Sequence, residues 1–202
     1  MNKNIINFYL EANNLKNVIR TGWQEVGIPK EKVESVADHI YGTSILALAI
    51  IEETNLKLNA EKVLKMILVK ELAKAVSNYE QSIVTSNKKE DYKGLTESIL
   101  NRLNNNSNIF AIFDEYEAKE SEEAKFVYKV CKLESDLQAK IYEMNGDFTI
   151  ENALEDIKNY PEDIKEKIGE VKKSSDGWIT FDREYYDDEL FMSLSKEIQE
   201  ME

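Results

Sequence analysis

The chain predicts an all-α helical bundle. Three observations carry this: apolar residues recur at three- and four-residue spacing along most of its length, only 7 Gly and 2 Pro interrupt it, and no segment alternates apolar and polar residues as a half-buried strand does. With 42% apolar and 32% charged residues the composition is that of a globular chain, and 202 residues favour one packed core over two. There is no internal repeat, no low-complexity tract and no Gly-rich phosphate loop.

The elements follow in order. Ile5, Ile6, Tyr9, Leu10, Leu15, Val18 and Ile19 predict a first helix that stops near Gly22. A loop with Gly27-Ile28-Pro29 comes next, and Ser35 is the expected N-cap of a helix over 36–53, apolar nearly all the way round and therefore central. Asn59 caps a further helix in which Val63, Leu64, Ile67, Leu68, Leu72 and Val76 form a stripe reaching about residue 76. Residues 77–89 are polar and irregular. Tyr92, Leu95, Ile99, Leu100 and Leu103 mark an amphipathic helix, with Asn104-Asn105-Asn106 as the following linker.

From 109 to about 144 the pattern predicts two helical segments or one kinked one, with Phe126, Val127, Val130, Leu133, Leu137 and Ile141 on the buried face and the acidic run 120–123 as a solvated turn. Asn145-Gly146 breaks it. Helices over 149–159 and 161–172, a loop at 174–177, an aromatic stretch 178–186 and a closing helix over 187–201 complete the chain. Trp178, Phe181, Tyr185, Tyr186 and Phe191 are expected to pack rather than to stack on a ligand. The expected organisation is a helical core over 1–146 with a helical extension, 147–202, packed on the same domain.

Charge and cysteine count narrow the partners. With 39 acidic and 26 basic residues the formal charge is -13, which repels nucleic-acid phosphates and anionic membranes, so neither is expected as a partner and an anionic ligand needs a local basic pocket. The single cysteine, Cys131, makes no internal disulfide, and the longest apolar run, residues 45–51, falls far short of the ~20 residues that span a bilayer. A reducing, cytoplasmic setting fits these features.

The chemistry-bearing segment is Glu34-Ser35-Val36-Ala37-Asp38-His39-Ile40-Tyr41, which holds the only histidine at the start of a buried helix. A lone imidazole makes neither a metal site nor a nucleophilic relay, and taken alone it reads as a structural core residue. Two other stretches set it in context. They are Leu15-Lys16-Asn17-Val18-Ile19-Arg20-Thr21-Gly22-Trp23, and the pieces Phe113-Asp114-Glu115-Tyr116, Ser121-Glu122-Glu123-Ala124-Lys125, Cys131-Lys132-Leu133-Glu134 and Leu137-Gln138-Ala139. In their order and separation these resemble the HD-domain phosphohydrolases, in the branch that contains 5′-deoxynucleotidases, over much of residues 10–145.

That resemblance implies an HD-domain helical bundle, a homodimer as the family's usual assembly, and a divalent transition metal held by a His, an adjacent His-Asp pair and a later Asp. Such a mixed nitrogen and oxygen site lowers the pKa of bound water and places it against a phosphate ester. His39 matches the first ligand. Lys70 and Glu71 stand at the His-Asp pair, and Cys131 stands at the last Asp. The family's acid/base carboxylates correspond here to Lys74 and Tyr79. No other register restores the pair, because no second histidine exists.

A Lys ammonium at a cation's position repels that cation and pairs with Glu71 instead, so a metal-free cluster of His39, Lys70 and Glu71 is expected. The competing reading is a zinc site made of His39, Glu71 and Cys131. Arg20 and Trp23 fall where the resembling enzymes hold the nucleotide; Arg20 either binds an anion or is a surface residue at a helix end, and Trp23 is otherwise a core anchor. Arg20, Lys70 and Lys74 would supply the basic pocket. The expectation is a non-catalytic, cofactor-free HD-fold protein that binds a nucleotide or other small phosphate-bearing ligand or a protein partner. The alternatives are a phosphohydrolase acting on nucleoside monophosphates through substituted ligands, with one divalent metal, and a plain structural protein.

Overall fold

In the computed structural model, which describes residues 2–76 and 92–202, eleven α-helices and four short 3₁₀ turns follow one another without a strand among the described residues. The all-α expectation holds. The helices are α1 (Asn2–Asn13), α2 (Thr21–Glu25), α3 (Val36–Thr54), α4 (Ala60–Val69), α5 (Tyr92–Leu100), α6 (Ser107–Ala118), α7 (Glu122–Met144), α8 (Ile150–Ile157), α9 (Glu162–Ile168), α10 (Asp176–Asp182) and α11 (Glu189–Glu200). None of the described helices is long and apolar enough to cross a membrane.

Side-chain caps start five of the described helices, among them α7, where the Ser121 hydroxyl accepts from the Ala124 N–H at 3.3 Å. The Ser35 Oγ accepts from the Asp38 N–H at 3.1 Å while the Asp38 carboxylate accepts from the Ser35 N–H at 2.8 Å, a reciprocal capping box that opens α3. Asn59 caps α4 through the Lys62 N–H, Thr149 caps α8 and Asp188 caps α11. Asn55, left-handed at φ 54, closes α3.

Several boundaries differ from expectation. The first helix does not run to Gly22: it stops at Asn13, tightens into a 3₁₀ turn (Asn14–Lys16) and then extends, because the backbone at Ile19 bridges to Ser35. The Arg20 N–H donates to the Glu34 carbonyl at 3.0 Å and the Val36 N–H to the Val18 carbonyl at 2.7 Å. Those partners lie far along the chain, which local periodicity does not reveal. The stripe ending at Val76 is α4 followed by a 3₁₀ turn (Leu72–Ala75). The loop expected at 174–177 already contains the start of α10, and the acidic run 120–123 runs into the first turn of α7. Residues 77–89 lie outside the described residues.

Two compact units emerge, Met1–Arg20 with Glu34–Val130, and Thr21–Val33 with Cys131–Glu202. In the first, α3 packs on α4, α4 on α6, and α5 on α1, α6 and the 3₁₀ turn after α4. Val36, Ala47, Val63, Met66, Ile67, Ile99, Leu100, Phe113 and Val127 are its buried core. The central helix is less enclosed than its composition suggests, since Tyr41 and Ile45 are 70% and 51% exposed, and α1 buries no side chain at all.

In the second unit Trp23, Val26, Ile28, Ala139, Tyr142, Phe148 and Ala153 form the core, with Val33 and Trp178 packed against it. Trp23 stacks on Trp178 with ring centroids 4.2 Å apart and meets Tyr142 edge-on at 5.3 Å. Phe181 lies against Tyr160 and Tyr185, and Tyr186 against Phe191. The tail aromatics pack, as their clustering predicted.

Candidate functional site

His39 is placed by local structure. The capping box at Ser35 fixes the start of α3, and His39 follows one turn later with its N–H on the Ser35 carbonyl at 3.2 Å. Its ring is buried at 4% exposure. Burial first, then the charges of Arg20 and Lys70, hold its pKa well below the ordinary 6.5, against the opposing pull of Glu71, so the imidazole is neutral.

Lys70 caps the C-terminal end of α4, where the helix tightens into its 3₁₀ turn, and this geometry gathers Lys70, Glu71 and Lys74. Cations suit that position because the last carbonyls of a helix carry partial negative charge. The Lys70 ammonium, on a side chain only 5% exposed, donates to Glu71 Oε1, and the Lys74 ammonium lies 2.8 Å from Glu71 Oε2. Burial pushes the Glu71 carboxyl up, but the charges of Lys70 and Lys74 and the hydrogen bond from Lys70 outweigh it and leave the pKa well below the usual carboxylate range. Glu71 is an anion clamped by two lysines.

Arg20 reaches the same neighbourhood from the Ile19–Ser35 bridge, which sets Arg20 beside Glu34. Its Nη1 lies 2.5 Å from Glu34 Oε1, on side chains 20% and 8% exposed. A carboxylate oxygen of Glu34 and a ring nitrogen of His39 are within 4.8 Å of each other. Glu34 is a member of the site that residue type and spacing do not mark. Its signal was its place one residue before the N-cap Ser35, in the same segment as His39.

The first unit thus brings together Arg20, Glu34, His39, Lys70, Glu71 and Lys74. Trp23 belongs to the core of the second unit at 1% exposure, a core anchor with no face open to a ligand. Cys131 and the buried Glu134 lie in the α7 portion of the second unit, Cys131 half-buried rather than fully enclosed. Tyr79 lies outside the described residues.

These side chains are a poor fit for a divalent cation at Lys70 and Glu71. Two unit charges ~4 Å apart repel by about 4 kcal/mol at an effective dielectric of ~20, and a divalent ion beside Lys70 doubles that figure before Lys74 and Arg20 are counted. The one carboxylate of the pair is already satisfied by two ammonium groups. What the arrangement offers instead is a neutral imidazole and fixed cations, donors suited to an anion's oxygens.

The profile of the HD domain family matches residues 12–172. The chain belongs to the HD-domain family. Within it the chain falls in the 5′-deoxynucleotidase-like branch of the HD phosphohydrolases: it is 32% identical over 150 residues to 5′-deoxynucleotidase HDDC2 of Danio rerio, covering 69% of this chain and 70% of that protein. It is 30% identical over 148 residues to the Bos taurus HDDC2, covering 70% and 69%. The 5′-deoxynucleotidase hdd1 of Schizosaccharomyces pombe is 32% identical over 144 residues, covering 66% and 70%. The HD-domain fold recurs in the PH0347 protein of Pyrococcus horikoshii, with a TM-score of 0.61 and 24% identity over 95% of this chain and 98% of that one. It recurs also in a conserved hypothetical protein from Pyrococcus furiosus, with a TM-score of 0.58 and 26% identity over 70% and 83%.

Proposed function

We propose that this HD-domain protein binds a small phosphate-bearing ligand of the nucleoside monophosphate class through Arg20, Lys70 and Lys74, without the metal-dependent hydrolysis of its family. One observation carries the reading: the buried Lys70 ammonium sits on Glu71, at the two positions where the resemblance implies the family's His-Asp metal ligands. An ammonium there provides positive charge without an open coordination position, so it attracts a phosphate but activates no water. His39, neutral and buried, remains a hydrogen-bonding group. The homodimer implied by the family resemblance belongs to the same proposal.

The likeness to proteins named 5′-deoxynucleotidases favours a second reading, in which the chain is a working phosphohydrolase with substituted ligands. Taken by themselves the comparisons speak for this second reading, and the residues at the site speak for the first. A melting-temperature screen with nucleoside monophosphates, run with and without chelator, joined to a phosphate-release assay with added divalent metals, separates them. Stabilisation that survives chelator, with no phosphate released, is expected. Metal-dependent release that disappears in His39→Ala establishes the second reading, and no stabilisation by any nucleotide removes the first.

A further inference from the structure

Independently of that site, the second unit buries two carboxylates together, Asp136 of α7 with no exposed surface and Asp182 of α10 at 3% exposure. They are not equivalent. Asp182 Oδ1 accepts from the Lys132 ammonium at 3.0 Å, and Lys132 also lies 4.3 Å from the centroid of the Tyr185 ring. Asp136 Oδ2 accepts from the Tyr186 hydroxyl at 2.8 Å, whereas its Oδ1 has no hydrogen-bond partner among the described residues. Arg183, the other cation nearby, directs its Nε and Nη2 to Ser195 and Gln199.

An ionised carboxylate removed from water needs its lone pairs filled or a counter-charge beside it. Asp136 has one bond, from a neutral phenol, and the ammonium that could neutralise it is held by Asp182. Two carboxylates sharing one lysine do not both ionise at ordinary cost. We propose that Asp136 is a neutral carboxylic acid at neutral pH, and that its proton acts as a pH-sensitive latch holding α7 to the segment from α10 to α11. Loss of that proton breaks the carboxyl O–H bond, releases the proton to solvent and leaves two buried anions facing the Lys132 ammonium, with the Arg183 guanidinium hydrogen-bonded to Ser195 and Gln199.

The electrostatics agree in direction. Burial and then the Asp182 charge push the Asp136 carboxyl well above its ordinary 3.8, and the opposing pulls of Tyr186, Lys132 and Arg183 do not overcome them. Burial pushes the Tyr186 hydroxyl upward as well, so it stays a donor throughout. Because the folded value is raised, the latch is fully closed below the unfolded value and loosens as pH climbs towards the folded one.

The experiment is a carbon-13 NMR titration of the full chain carrying carboxyl-labelled aspartate, from about pH 4 to about pH 8, beside melting curves of wild type and Asp136→Asn over that range. One aspartate signal is expected to keep its neutral-acid shift at pH 7 and to be missing from Asp136→Asn. Within the titration window the folding equilibrium constant of wild type should fall about tenfold per pH unit relative to the variant. Ionisation of every aspartate by about pH 5, or parallel melting behaviour of the two proteins, overturns the latch. Should Asp136→Asn not fold, the titration of the labelled wild type decides the matter alone.

Discussion

Removing the Lys70 ammonium, as in Lys70→Met, strips one of the two lysines from a buried carboxylate. Breaking such a pair from one side costs roughly 3 kcal/mol, and the retained Lys74 contact keeps the loss at or below that figure. Urea unfolding checks it. Exchanging both partners, Lys70→Met with Glu71→Leu, should recover most of the loss, since a paired ion costs desolvation that an apolar pair does not. In the second unit, burial pushes the Glu143 carboxyl up, but the Lys140 ammonium and the Ser175 N–H and hydroxyl outweigh it and leave the pKa lowered. The stability this provides is present above the ordinary 4.5 and is lost as pH falls through the lower folded value. Glu143→Gln should therefore flatten the acid limb of a stability-against-pH curve and leave the opposite, alkaline trend of Asp136 intact. Of the residues at the candidate site, those that chemistry types by themselves were legible in the sequence: the lone His39 and the Lys70-Glu71 pair. Glu34 was not, because its role comes from a backbone bridge that sets it beside Arg20.

Helix starts were legible because their cause is local. Ser35 and Asn59 cap as their side chains predict, and Ser35→Ala should cost about 1 kcal/mol by removing the acceptor for the Asp38 N–H, measurable by denaturant unfolding. Helix ends set by distant contacts were not legible. The end of α1 depends on the Ile19–Ser35 bridge and on the Asn14 amide reaching the Ala75 carbonyl at 2.7 Å, neither of which a window of residues contains. The turn after α2 is a third case: Gly27 adopts φ +87, and a Cβ there would lie 2.1 Å from the Asn152 amide nitrogen. Gly27→Ala should cost upwards of about 1 kcal/mol, combining left-handed strain with displacement of Asn152, and should lower the melting temperature.

For the molecule as a whole, composition and period were enough for an all-α fold, and burial followed hydrophobicity at most stripe positions of the packed helices, though Leu68 of α4 and Ile141 of α7, expected on buried faces, are 54% and 44% exposed. It failed for α1, whose Ile5, Ile6, Tyr9 and Leu10 are 55–60% exposed although they form a regular stripe. Periodicity reports which face a helix would bury, and packing decides whether it does. Trp23 shows the reverse: read as either a ligand contact or a core anchor, it is fully enclosed by Tyr142 and Trp178, and Trp23→Ala should cost about 3–5 kcal/mol in an unfolding titration. Family membership fixes the HD fold and leaves the chemistry to the residues at the site.

Elemental analysis of the purified chain after exposure to Mn, Co, Fe, Ni and Zn in turn, followed by desalting, bears most directly on whether Lys70 has taken over the cation's position. Retention of no stoichiometric metal is the predicted result. About one ion per chain that is lost in His39→Ala would contradict it and return the protein to the metal-dependent phosphohydrolases.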